Sequence, residues 1–319
     1  MLKMVLGDIP DMEHRGQIDS PFTGIDTRQD DFTIVIPVLN EEKGIGRVLE
    51  EAKREGYKNV LVIDGYSSDK TASIASMNGA KVIFQSGLGK CGAIKTAIEH
   101  VRTTYFVVMD GDCTYDPRDI QNFFPHMKAN DEVIGFRSSG RNNISMLNRF
   151  GNWIISSFFN VLFGTNLKDV CSGMYTLRTD FARMLDLKSS AFEVEVEIAA
   201  QAASEGRVTQ VPIRYNSRLG QQKLHPWKHG LQILSTVLNL ARYYNPVLLF
   251  SFASASTMVP AAIILFWVLL ESLNGIWHGG LALFAIMLAM SSLLALTVST
   301  ISVLLKRMER RILRKISSL

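Results

Sequence analysis

Three aspartates follow a short apolar run near the middle of the 319-residue chain. The segment reads YFVVMDGDCTYDP, and its acids are Asp110, Asp112 and Asp116. Carboxylates crowded at the end of a buried strand repel one another unless a positive charge lies among them. Because Asp110 and Asp112 are two residues apart, an extended backbone would point both side chains to the same side. The pattern therefore predicts that these two bind a hard divalent cation, Mg²⁺ or Mn²⁺. Asp116 could instead form only local hydrogen bonds in a turn, and this alternative stays open.

The residues around this segment predict the elements that must position it. Four short runs rich in β-branched residues are predicted strands, with helical segments between them: FTIVIPV, NVLVID, AKVIFQ and TYFVVMD. Further on, SGMYTLR and RVTQVPIRY are predicted strands and MLNRFGNWIISSFFNVLFG an amphipathic helix. Such alternation is typical of an α/β fold with a mostly parallel sheet and helices on both faces. Ligands of these sheets bind at the carboxyl ends of the strands, where Asp64, Asp110 and the turn 37–42 would lie.

Two uncharged apolar runs follow in the C-terminal part of the chain. They read PVLLFSFASASTMVPAAIILFWVLL and GGLALFAIMLAMSSLLALTVSTISVLL, and each exceeds the ~20 residues that a membrane-spanning helix needs. A pair of buried core helices is the alternative, but uncharged runs of this length rarely serve that purpose. We predict a two-helix transmembrane hairpin over 246–305, with spans at about 247–270 and 279–305.

The basic residues around these runs predict the orientation of the hairpin. The tail 306–319 begins KRMERRILRK, whereas the loop ESLNGIWHG between the spans contains no Lys or Arg. Because positive charge stays on the cytoplasmic side, both termini and the whole region before residue 246 should face the cytosol of a cell membrane. The tail also accounts for most of the net charge of +4, which indicates attraction to membrane lipids rather than to nucleic acid.

Two further segments are predicted from their composition. Residues 1–30 are polar and contain Gly and Pro, which indicates a loose or peripheral arm. Residues 226–245 combine an apolar face with Trp, Tyr and basic side chains, which is typical of a helix in the membrane interface. An ordinary packed helix is the alternative for that segment. His225 and His229 stand four residues apart but have no third ligand nearby, so no zinc site is expected.

Six segments, in order, carry a resemblance to a known family. They are IPVLNEE, IDGYSSDKT, GLGKCGAIKTAIEH, MDGDCTYDP, SGMYTLR and YNSRLGQQKL. Over about residues 32–232 the chain resembles the family 2 glycosyltransferases, most closely the dolichyl-phosphate mannose synthase group. The resemblance implies a catalytic domain of the glycosyltransferase A type (Rossmann-like), which we place at 31–225. It also implies a nucleotide-sugar donor, a divalent metal and inversion at the transferred sugar carbon.

The resemblance also implies which residues bind the donor. The donor-binding set is Pro37, Asn40, Glu42, Asp64, Lys90 and Gly111. Asp64 would accept hydrogen bonds from the base or the ribose, and Lys90 would meet the diphosphate. One position departs from the family pattern, because Thr114 stands where close relatives often carry a metal-binding Gln. Whether Thr114 or Asp116 contributes to the metal site stays open.

The resemblance implies a lipid phosphate as the acceptor, and the residues that would bind it are predicted from charge. A lipid phosphate oxygen is already anionic, so it needs cations rather than a base. The predicted acceptor-phosphate ligands are Arg137, Arg149, Arg218 and Lys223. Arg218 lies in a segment that resembles the mobile loop closing over the donor, and it is predicted to be catalytic together with Asp110 and Asp112. An acceptor hydroxyl would instead need a base, for which the sequence offers Glu193, Glu195 and Glu197. We favour the interpretation that these three glutamates lie on a solvated helix face.

The sequence thus predicts a membrane-bound, metal-dependent, inverting hexosyltransferase. It would move a sugar from GDP-mannose, UDP-glucose or UDP-N-acetylglucosamine to dolichyl or polyprenyl phosphate at the cytosolic face, for glycan assembly or protein glycosylation. Two alternatives remain: transfer to a lipid or glycan hydroxyl with a Glu base, and a non-catalytic membrane scaffold that binds nucleotide sugars. The base, the sugar and the oligomeric state are left open.

Overall fold

The structure, a computed structural model, describes residues 32–187, 194–204, 207–219 and 246–316, together with positions 235 and 239. The predicted arm 1–30 lies outside the described residues, and so does the predicted interfacial helix except for those two positions. Four residues singled out from the sequence also lie outside them: Glu193, Lys223, His225 and His229.

Strands and helices alternate in the first half of the chain, as the sequence predicts. The strands are β1 Phe32–Val38, β2 Val60–Asp64, β3 Lys81–Phe84 and β4 Tyr105–Val108. The helices between them are α1 Ile45–Arg54, α2 Thr71–Met77 and α3 Gly89–His100. The β-branched residues of these strands suit a pleated backbone that is covered on both faces.

The second half contains one strand that the sequence prediction missed. This strand, β5 Glu132–Ser139, begins with a buried glutamate and includes the buried Arg137, so charged residues interrupt its apolar pattern. β6 Tyr175–Arg178 and β7 Val208–Arg214 lie within the predicted segments. The remaining elements are a 3₁₀ helix at Pro117–Asn122, α4 Phe124–Met127, α5 Met146–Phe163, α6 Thr179–Met184 and α7 Val194–Ser204, with a further 3₁₀ turn at Arg141–Asn143.

The strands form one mixed sheet in the order β3-β2-β1-β4-β6-β5-β7. β1 to β4 run parallel to one another, and β5 pairs with β7 in parallel. β6 runs antiparallel to both of its neighbours, β4 and β5. The predicted mostly parallel sheet is therefore confirmed. Val38, the last residue of β1, pairs with Asp64, the last residue of β2, and β4 runs parallel to β1. The loops that follow β1, β2 and β4 therefore lie at the same end of the sheet, next to the carboxyl ends of these strands.

Helices cover both faces of the sheet because successive side chains of a strand point to opposite sides. On one face, Ile34 of β1 belongs to a buried cluster with Val48 of α1. On the other face, Val35 belongs to a buried cluster with Ile94 of α3 and Ile198 of α7. The two clusters fix α1, α3 and α7 around the strand ends at which the acids lie.

Two long helices follow, at Pro246–Leu273 and Gly279–Ile316. Each contains a stretch of 24 residues, Phe250–Leu273 and Gly279–Ser302, that is long and apolar enough to cross a membrane. Only three residues of each stretch are buried within the protein, which argues against their being core helices of a soluble domain. They match the predicted transmembrane hairpin.

The two long helices pack along each other and share a pair of buried serines. The hydroxyl oxygens of Ser254 and Ser292 lie 2.7 Å apart, and the Ser292 hydroxyl also donates to the Ser254 carbonyl at 2.9 Å. The second helix continues past residue 305, where the predicted span ends, as far as Ile316. This continuation follows because Lys, Arg and Glu are good helix formers and neither Gly nor Pro interrupts them.

Candidate active site

The acids at the strand ends begin with Asp64, the last residue of β2. Its side chain is fully buried, and its Oδ1 accepts a hydrogen bond from the Ser67 backbone N–H at 2.6 Å. Within the described residues its Oδ2 is buried without a hydrogen-bond partner. Because a buried oxygen without a partner costs stability, this atom fits a donor group supplied by a ligand.

Asp110 follows β4 and belongs to a chain of three charged side chains. Lys90 of α3 lies between two carboxylates, with its Nζ 2.7 Å from Asp110 Oδ1 and 2.6 Å from Glu195 Oε1. Glu195 comes from the first turn of α7. The side chain of Asp110 is 31% exposed and that of Glu195 only 8%. Asp110 is therefore the most exposed of these three charged side chains, and it is the aspartate that the sequence predicts to bind a metal.

Asp112 belongs to a second chain of three charges. Arg218, on the loop after β7, lies between two carboxylates, with its Nη1 3.1 Å from Asp112 Oδ2 and its Nη2 2.7 Å from Glu41 Oε1. Glu41 comes from the turn after β1. Both predicted metal ligands thus contact a cation, and each cation contacts one further glutamate.

The loop that carries Arg218 is joined to the aspartate loop by backbone hydrogen bonds. The Asn216 N–H donates to the Thr114 carbonyl at 2.8 Å, and the Leu219 N–H donates to the Asp112 carbonyl at 3.0 Å. These bonds hold the segment after β7 against the segment after β4. They explain how Arg218, so distant in sequence, reaches Asp112.

Asp110 lies close enough to Asp112 to affect the ionisation of Asp112. Burial and the charge of Asp110 raise the pKa of Asp112, whereas contacts from Thr114 and Arg218 oppose that rise. Two neighbouring carboxylates suit Mg²⁺ or Mn²⁺, since Mg²⁺ usually takes one or two carboxylates and completes its shell with phosphate and water. No cluster of three or more His, Cys, Asp or Glu side chains suitable for a metal occurs among the described residues. The pair fits a metal that arrives with a phosphate ligand rather than a structural metal.

A glycine is required beside the Asp110 carboxylate. A Cβ on Gly173 would lie 2.6 Å from Asp110 Oδ2 and 3.2 Å from Lys90 Nζ. The Gly173 N–H donates to the buried Tyr115 hydroxyl at 2.7 Å, which holds this backbone in place. The close approach of the backbone therefore shapes one wall of the candidate site.

Three predicted donor-binding residues, Pro37, Asn40 and Glu42, lie at the end of β1 or in the turn that follows it. Asn40 Oδ1 accepts a hydrogen bond from the Ser68 N–H at 2.7 Å, and the Glu42 N–H donates to Asp69 Oδ2 at 3.2 Å. Pro37 is half-buried within the strand. These contacts join the loops after β1 and β2, and direct donor binding by the three residues stays a prediction.

Gly111 lies between the two metal-site aspartates, and its contacts are with the core. A Cβ at this position would lie 2.8 Å from Val38 Cγ1 and 3.3 Å from Ile36 Cγ2. Glycine therefore allows the aspartate loop to pack closely against β1. Its predicted contact with the donor stays a prediction.

Arg137, one of the predicted acceptor-phosphate ligands, instead forms an ion pair inside the protein. Its guanidinium donates to both carboxylate oxygens of Asp169, at 2.6 and 2.7 Å, and lies over the Tyr215 ring at 5.3 Å from the centroid. The side chain is buried, so this bidentate pair satisfies it within the protein. The structure therefore does not support Arg137 as a direct ligand of an acceptor phosphate. Arg149 is exposed near the start of α5, where its predicted role stays untested.

Thr114 and Asp116 both make local contacts, and whether either contributes to a metal site stays a prediction. The Thr114 hydroxyl and N–H both donate to Asp112 Oδ1, so Thr114 orients the aspartate. Asp116 accepts from the Arg118 N–H at the start of the 3₁₀ helix and also pairs with the Arg118 and Arg214 side chains. Burial alone would raise the pKa of Asp116, but the Arg118 hydrogen bonds lower it. The structure gives Asp116 a capping role.

The expected solvated face for the glutamates of α7 is wrong where the structure describes them. Glu195 and Glu197 are both buried, and Glu195 reaches the site through Lys90. The helix reads VEVEIAAQAAS, and seven of its eleven residues are Val, Ile or Ala. Apolar residues on every face are typical of a buried helix. That pattern was the available signal. No comparable signal distinguished Glu41 from its neighbour Glu42.

A further buried acid lies behind Glu195. Glu132, the first residue of β5, is 1% exposed, and its Oε2 has no hydrogen-bond partner among the described residues. Burial and the charge of Glu195 raise the pKa of Glu132 well above its ordinary value. Glu132 is therefore harder to ionise than an exposed glutamate. Burial also raises the pKa of Glu195, although its contact with Lys90 opposes that rise.

Known glycosyltransferases are among the proteins similar to this chain. Glycosyltransferase AglJ of Haloferax volcanii is 35% identical over 238 residues, which cover 72% of this chain and 78% of that protein. The dolichyl-phosphate hexose transferase of the same organism is 29% identical over 216 residues, which cover 66% of this chain and 94% of that protein.

Solved structures show the same fold. Glucosyl-3-phosphoglycerate synthase from Mycobacterium tuberculosis, in complex with Mn²⁺, UDP-glucose and phosphoglyceric acid, matches with a TM-score of 0.54 and 18% identity. The match covers 66% of this chain and 79% of that chain. It confirms the predicted glycosyltransferase A-type architecture. The family model described as glycosyl transferase family 2 matches residues 33–183. Together with the similarity to AglJ over most of its length, this match shows that the chain belongs to glycosyltransferase family 2.

Proposed function

We propose that this chain transfers a hexose-type sugar, with inversion, from a nucleotide-sugar donor to dolichyl or polyprenyl phosphate at the cytosolic face of a membrane. The observation that carries the proposal is the aspartate pair, in which Asp110 contacts Lys90 and Asp112 contacts Arg218. The two long helices would keep a lipid acceptor near that pair. A relative whose name is dolichyl-phosphate hexose transferase supports the lipid phosphate as acceptor.

On the donor side, Asp110 and Asp112 would hold Mg²⁺ or Mn²⁺, which neutralises the charge that a diphosphate gains as the sugar leaves. Lys90 would donate hydrogen bonds to the same diphosphate, as an ammonium group with three donors can. The Mn²⁺ and UDP-glucose bound by the structural neighbour support this assignment. Neither metal is favoured over the other.

Asp64 would recognise the base of the donor. One of its oxygens is already bound by the Ser67 N–H, and the other is buried without a partner among the described residues. A single remaining acceptor suits the one N–H of uracil more simply than the two adjacent donors of guanine. The stacked rings of Tyr66 and Phe84, both more than half exposed, lie beside Asp64 in the chain and in the sheet register. We therefore expect a uridine nucleotide in preference to a guanosine nucleotide.

On the acceptor side, a lipid phosphate would attack with an oxygen that is already anionic, so the reaction needs no general base. Arg218 is the cation best placed to orient that phosphate, because it lies at Asp112 on a loop and its Nε has no partner among the described residues. Lys223 would follow on the same segment, and Arg149 remains a candidate. The fork of an arginine suits the geometry of phosphate oxygens.

Transfer to a hydroxyl acceptor is the second candidate, because the structure brings a glutamate to the site. Glu195 is close enough to Lys90 to act near the reacting groups. Burial raises the pKa of Glu195, and its contact with Lys90 opposes that rise. Its Oε1 is occupied by Lys90, however, and its side chain is only 8% exposed, whereas a general base must reach the proton of the acceptor. We therefore favour the phosphate acceptor. A non-catalytic scaffold would leave the two three-charge chains without a purpose.

The orientation follows from the basic tail after the second span. We propose that the catalytic domain and the tail share the cytosolic side, because the loop between the spans contains no Lys or Arg. A labelling experiment on membrane vesicles checks this, with single cysteines introduced at Asn274 and at Ser318. An impermeant maleimide should label the two positions from opposite sides.

The proposed function is tested with the full-length protein in lipid nanodiscs, a panel of radiolabelled donors and polyprenyl phosphate. Label should pass into the organic phase with a uridine-linked sugar, and EDTA should abolish the transfer. The matched control is the polyprenol that lacks the phosphate. Equal transfer to the polyprenol would favour the hydroxyl acceptor, and no labelled lipid with any donor would overturn the proposal. The anomeric configuration of the product, determined by NMR, tests inversion.

A further inference from the structure

Lys90 occupies a position between an open acid and a closed one. Its ammonium lies 2.7 Å from Asp110, whose side chain is 31% exposed, and 2.6 Å from Glu195, whose side chain is 8% exposed. The lysine itself is 14% exposed. One positive charge is therefore shared between a carboxylate that a ligand can reach and a carboxylate that it cannot.

The arrangement has a consequence for any divalent cation that binds Asp110. The incoming cation and Lys90 both compete for the same carboxylate, and they repel each other. A lysine whose only anionic partner was Asp110 would then lose that partner in a largely buried place, which is costly. Glu195 removes this cost because it keeps Lys90 paired after Asp110 has turned to the cation.

Regular structure fixes both partners of this pair. Lys90 lies in the first turn of α3 and Glu195 in the first turn of α7, and both helices pack on the same face of the sheet. The glycine backbone at Gly173 closes the space beside Lys90 and Asp110. The ammonium is therefore confined to a short path between the two carboxylates.

We propose that Glu195 is a positioning residue that retains Lys90 at the site when a divalent cation takes over Asp110, so that Lys90 is presented to the donor diphosphate. The inference rests on the proposed function for the identity of the ligands. It goes beyond that function because it assigns to a buried acid the control of metal affinity, through one lysine and without contact with either ligand.

The test measures Mn²⁺ binding by the electron paramagnetic resonance of free Mn²⁺, on the full-length protein with UDP present and no acceptor. E195Q should weaken Mn²⁺ binding by about tenfold, the lower end of the effect usual for residues that support metal ligands. The same substitution made in K90M should change Mn²⁺ binding by less than about twofold, because the lysine through which Glu195 acts is absent. Steady-state kinetics should show a raised donor KM with the acceptor KM unchanged.

Two matched variants separate positioning from other roles. E197Q removes an equally buried glutamate two residues along α7 and should leave Mn²⁺ affinity unchanged. E195D keeps the charge but shortens the reach, so it should fold like the original and weaken the affinity for UDP in the presence of Mn²⁺. This variant keeps the inference testable if E195Q does not fold.

The outcomes are distinct from those for sugar transfer. An equal loss of Mn²⁺ affinity from E195Q with and without Lys90 would show that Glu195 acts only as a general negative charge, and the inference would be wrong. An unchanged Mn²⁺ affinity in E195Q together with an unchanged UDP affinity in E195D would also overturn the inference. Because the Mn²⁺ and UDP binding measurements contain no acceptor, a failure to glycosylate polyprenyl phosphate leaves them unaffected.

Discussion

The two aspartates of the site are supported in the same way but by different kinds of structure. Asp110 contacts Lys90, which is held by Glu195, and both partners lie in helices. Asp112 contacts Arg218, which is held by Glu41, and both partners lie in loops. The two aspartates therefore have equivalent charged partners. The loops that carry the partners of Asp112 are expected to be more mobile than the helices that carry the partners of Asp110.

This difference separates a fixed side from an adjustable one. Helices packed on a sheet hold Lys90 in one place, which suits a diphosphate that must bind in one register. Loops open at lower cost than packed helices, and the Arg218 side chain is more exposed than that of Lys90, at 26% against 14%. We infer that the Asp110 side serves the donor and that the Asp112 side adapts to the acceptor.

The largest effect on sugar transfer is expected from the two aspartates, because each side of the site contains one of them. Asp110→Asn and Asp112→Asn should each reduce sugar transfer by roughly a hundredfold or more, because each removes a carboxylate that would hold the divalent cation needed to stabilise the departing diphosphate. Transfer is measured at saturating donor over a range of Mn²⁺ concentrations. Asp180→Asn, at an aspartate whose side chain is 84% exposed, is the control and should be silent. Full divalent-dependent turnover in either variant would remove the basis of the comparison.

The second prediction separates the two sides. Lys90→Met should raise the donor KM and Arg218→Met the acceptor KM, each by roughly tenfold, since a hydrogen bond to a charged group contributes about 1.5–3 kcal/mol. The measurement is a two-substrate kinetic matrix for each variant. If both variants raised the same KM, the division into a donor side and an acceptor side would be wrong.

The third prediction addresses the tight packing of the Asp110 side. Gly173→Ala should reduce donor affinity by roughly tenfold, because overpacking typically costs about 1–3 kcal/mol and here displaces Asp110 or Lys90. Gly151→Ala is the matched control, since a Cβ there meets nothing within 4 Å and alanine favours the helix. Calorimetric titration with UDP and Mn²⁺ checks both variants. Equal affinities of the two variants for UDP with Mn²⁺ would show that the residues around Gly173 shift to accommodate the added methyl group.

The smallest effect concerns stability rather than turnover. The pKa of Glu132 is raised well above its ordinary value of 4.5 by burial and by the charge of Glu195. The folded state therefore keeps a proton that the unfolded state loses above about pH 4.5, so Glu132 costs stability as the pH rises. Glu132→Gln should leave the melting temperature little changed at pH 5 and raise it by a few degrees at pH 8.

Differential scanning fluorimetry in detergent, from pH 5 to pH 8, checks this dependence. Glu50→Gln, at a glutamate whose side chain is 59% exposed, controls for the loss of a negative charge. A melting-temperature difference that did not grow with pH would mean that Glu132 is already ionised in the folded protein. The buried support of the Asp110 side would then carry two charges rather than one.

The sequence located the ends of the strands but not the partners that meet there. The positions of Asp64 and Asp110 follow from local patterns, because an apolar run that ends in an acid marks both the strand and its carboxyl end. The mostly parallel sheet and the hairpin followed from patterns of the same kind, whereas the antiparallel direction of β6 did not. The missed strand β5 carries Glu132 and Arg137 inside the fold, where a local pattern counts them as surface residues.

Partners of the charged residues depend on packing between distant segments. Glu41 and Arg218 are 177 residues apart in the chain, and Arg137 and Asp169 are 32 apart. Nothing in the composition of either segment identifies the other. Arg137 therefore looked like a free phosphate ligand, and Glu195 looked like part of a wet helix face, until tertiary contacts gave each its partner.

The bond between the Leu219 N–H and the Asp112 carbonyl joins the segment after β7 to one of the two aspartates that we predict to bind the metal. From Leu219 the polypeptide runs on toward the hairpin. The Asn216 bond to the Thr114 carbonyl and the ion pair of Arg218 with Asp112 join the same two segments. We therefore expect that removing the two long helices would disturb the Asp112 segment and weaken the binding of a nucleotide together with its divalent cation.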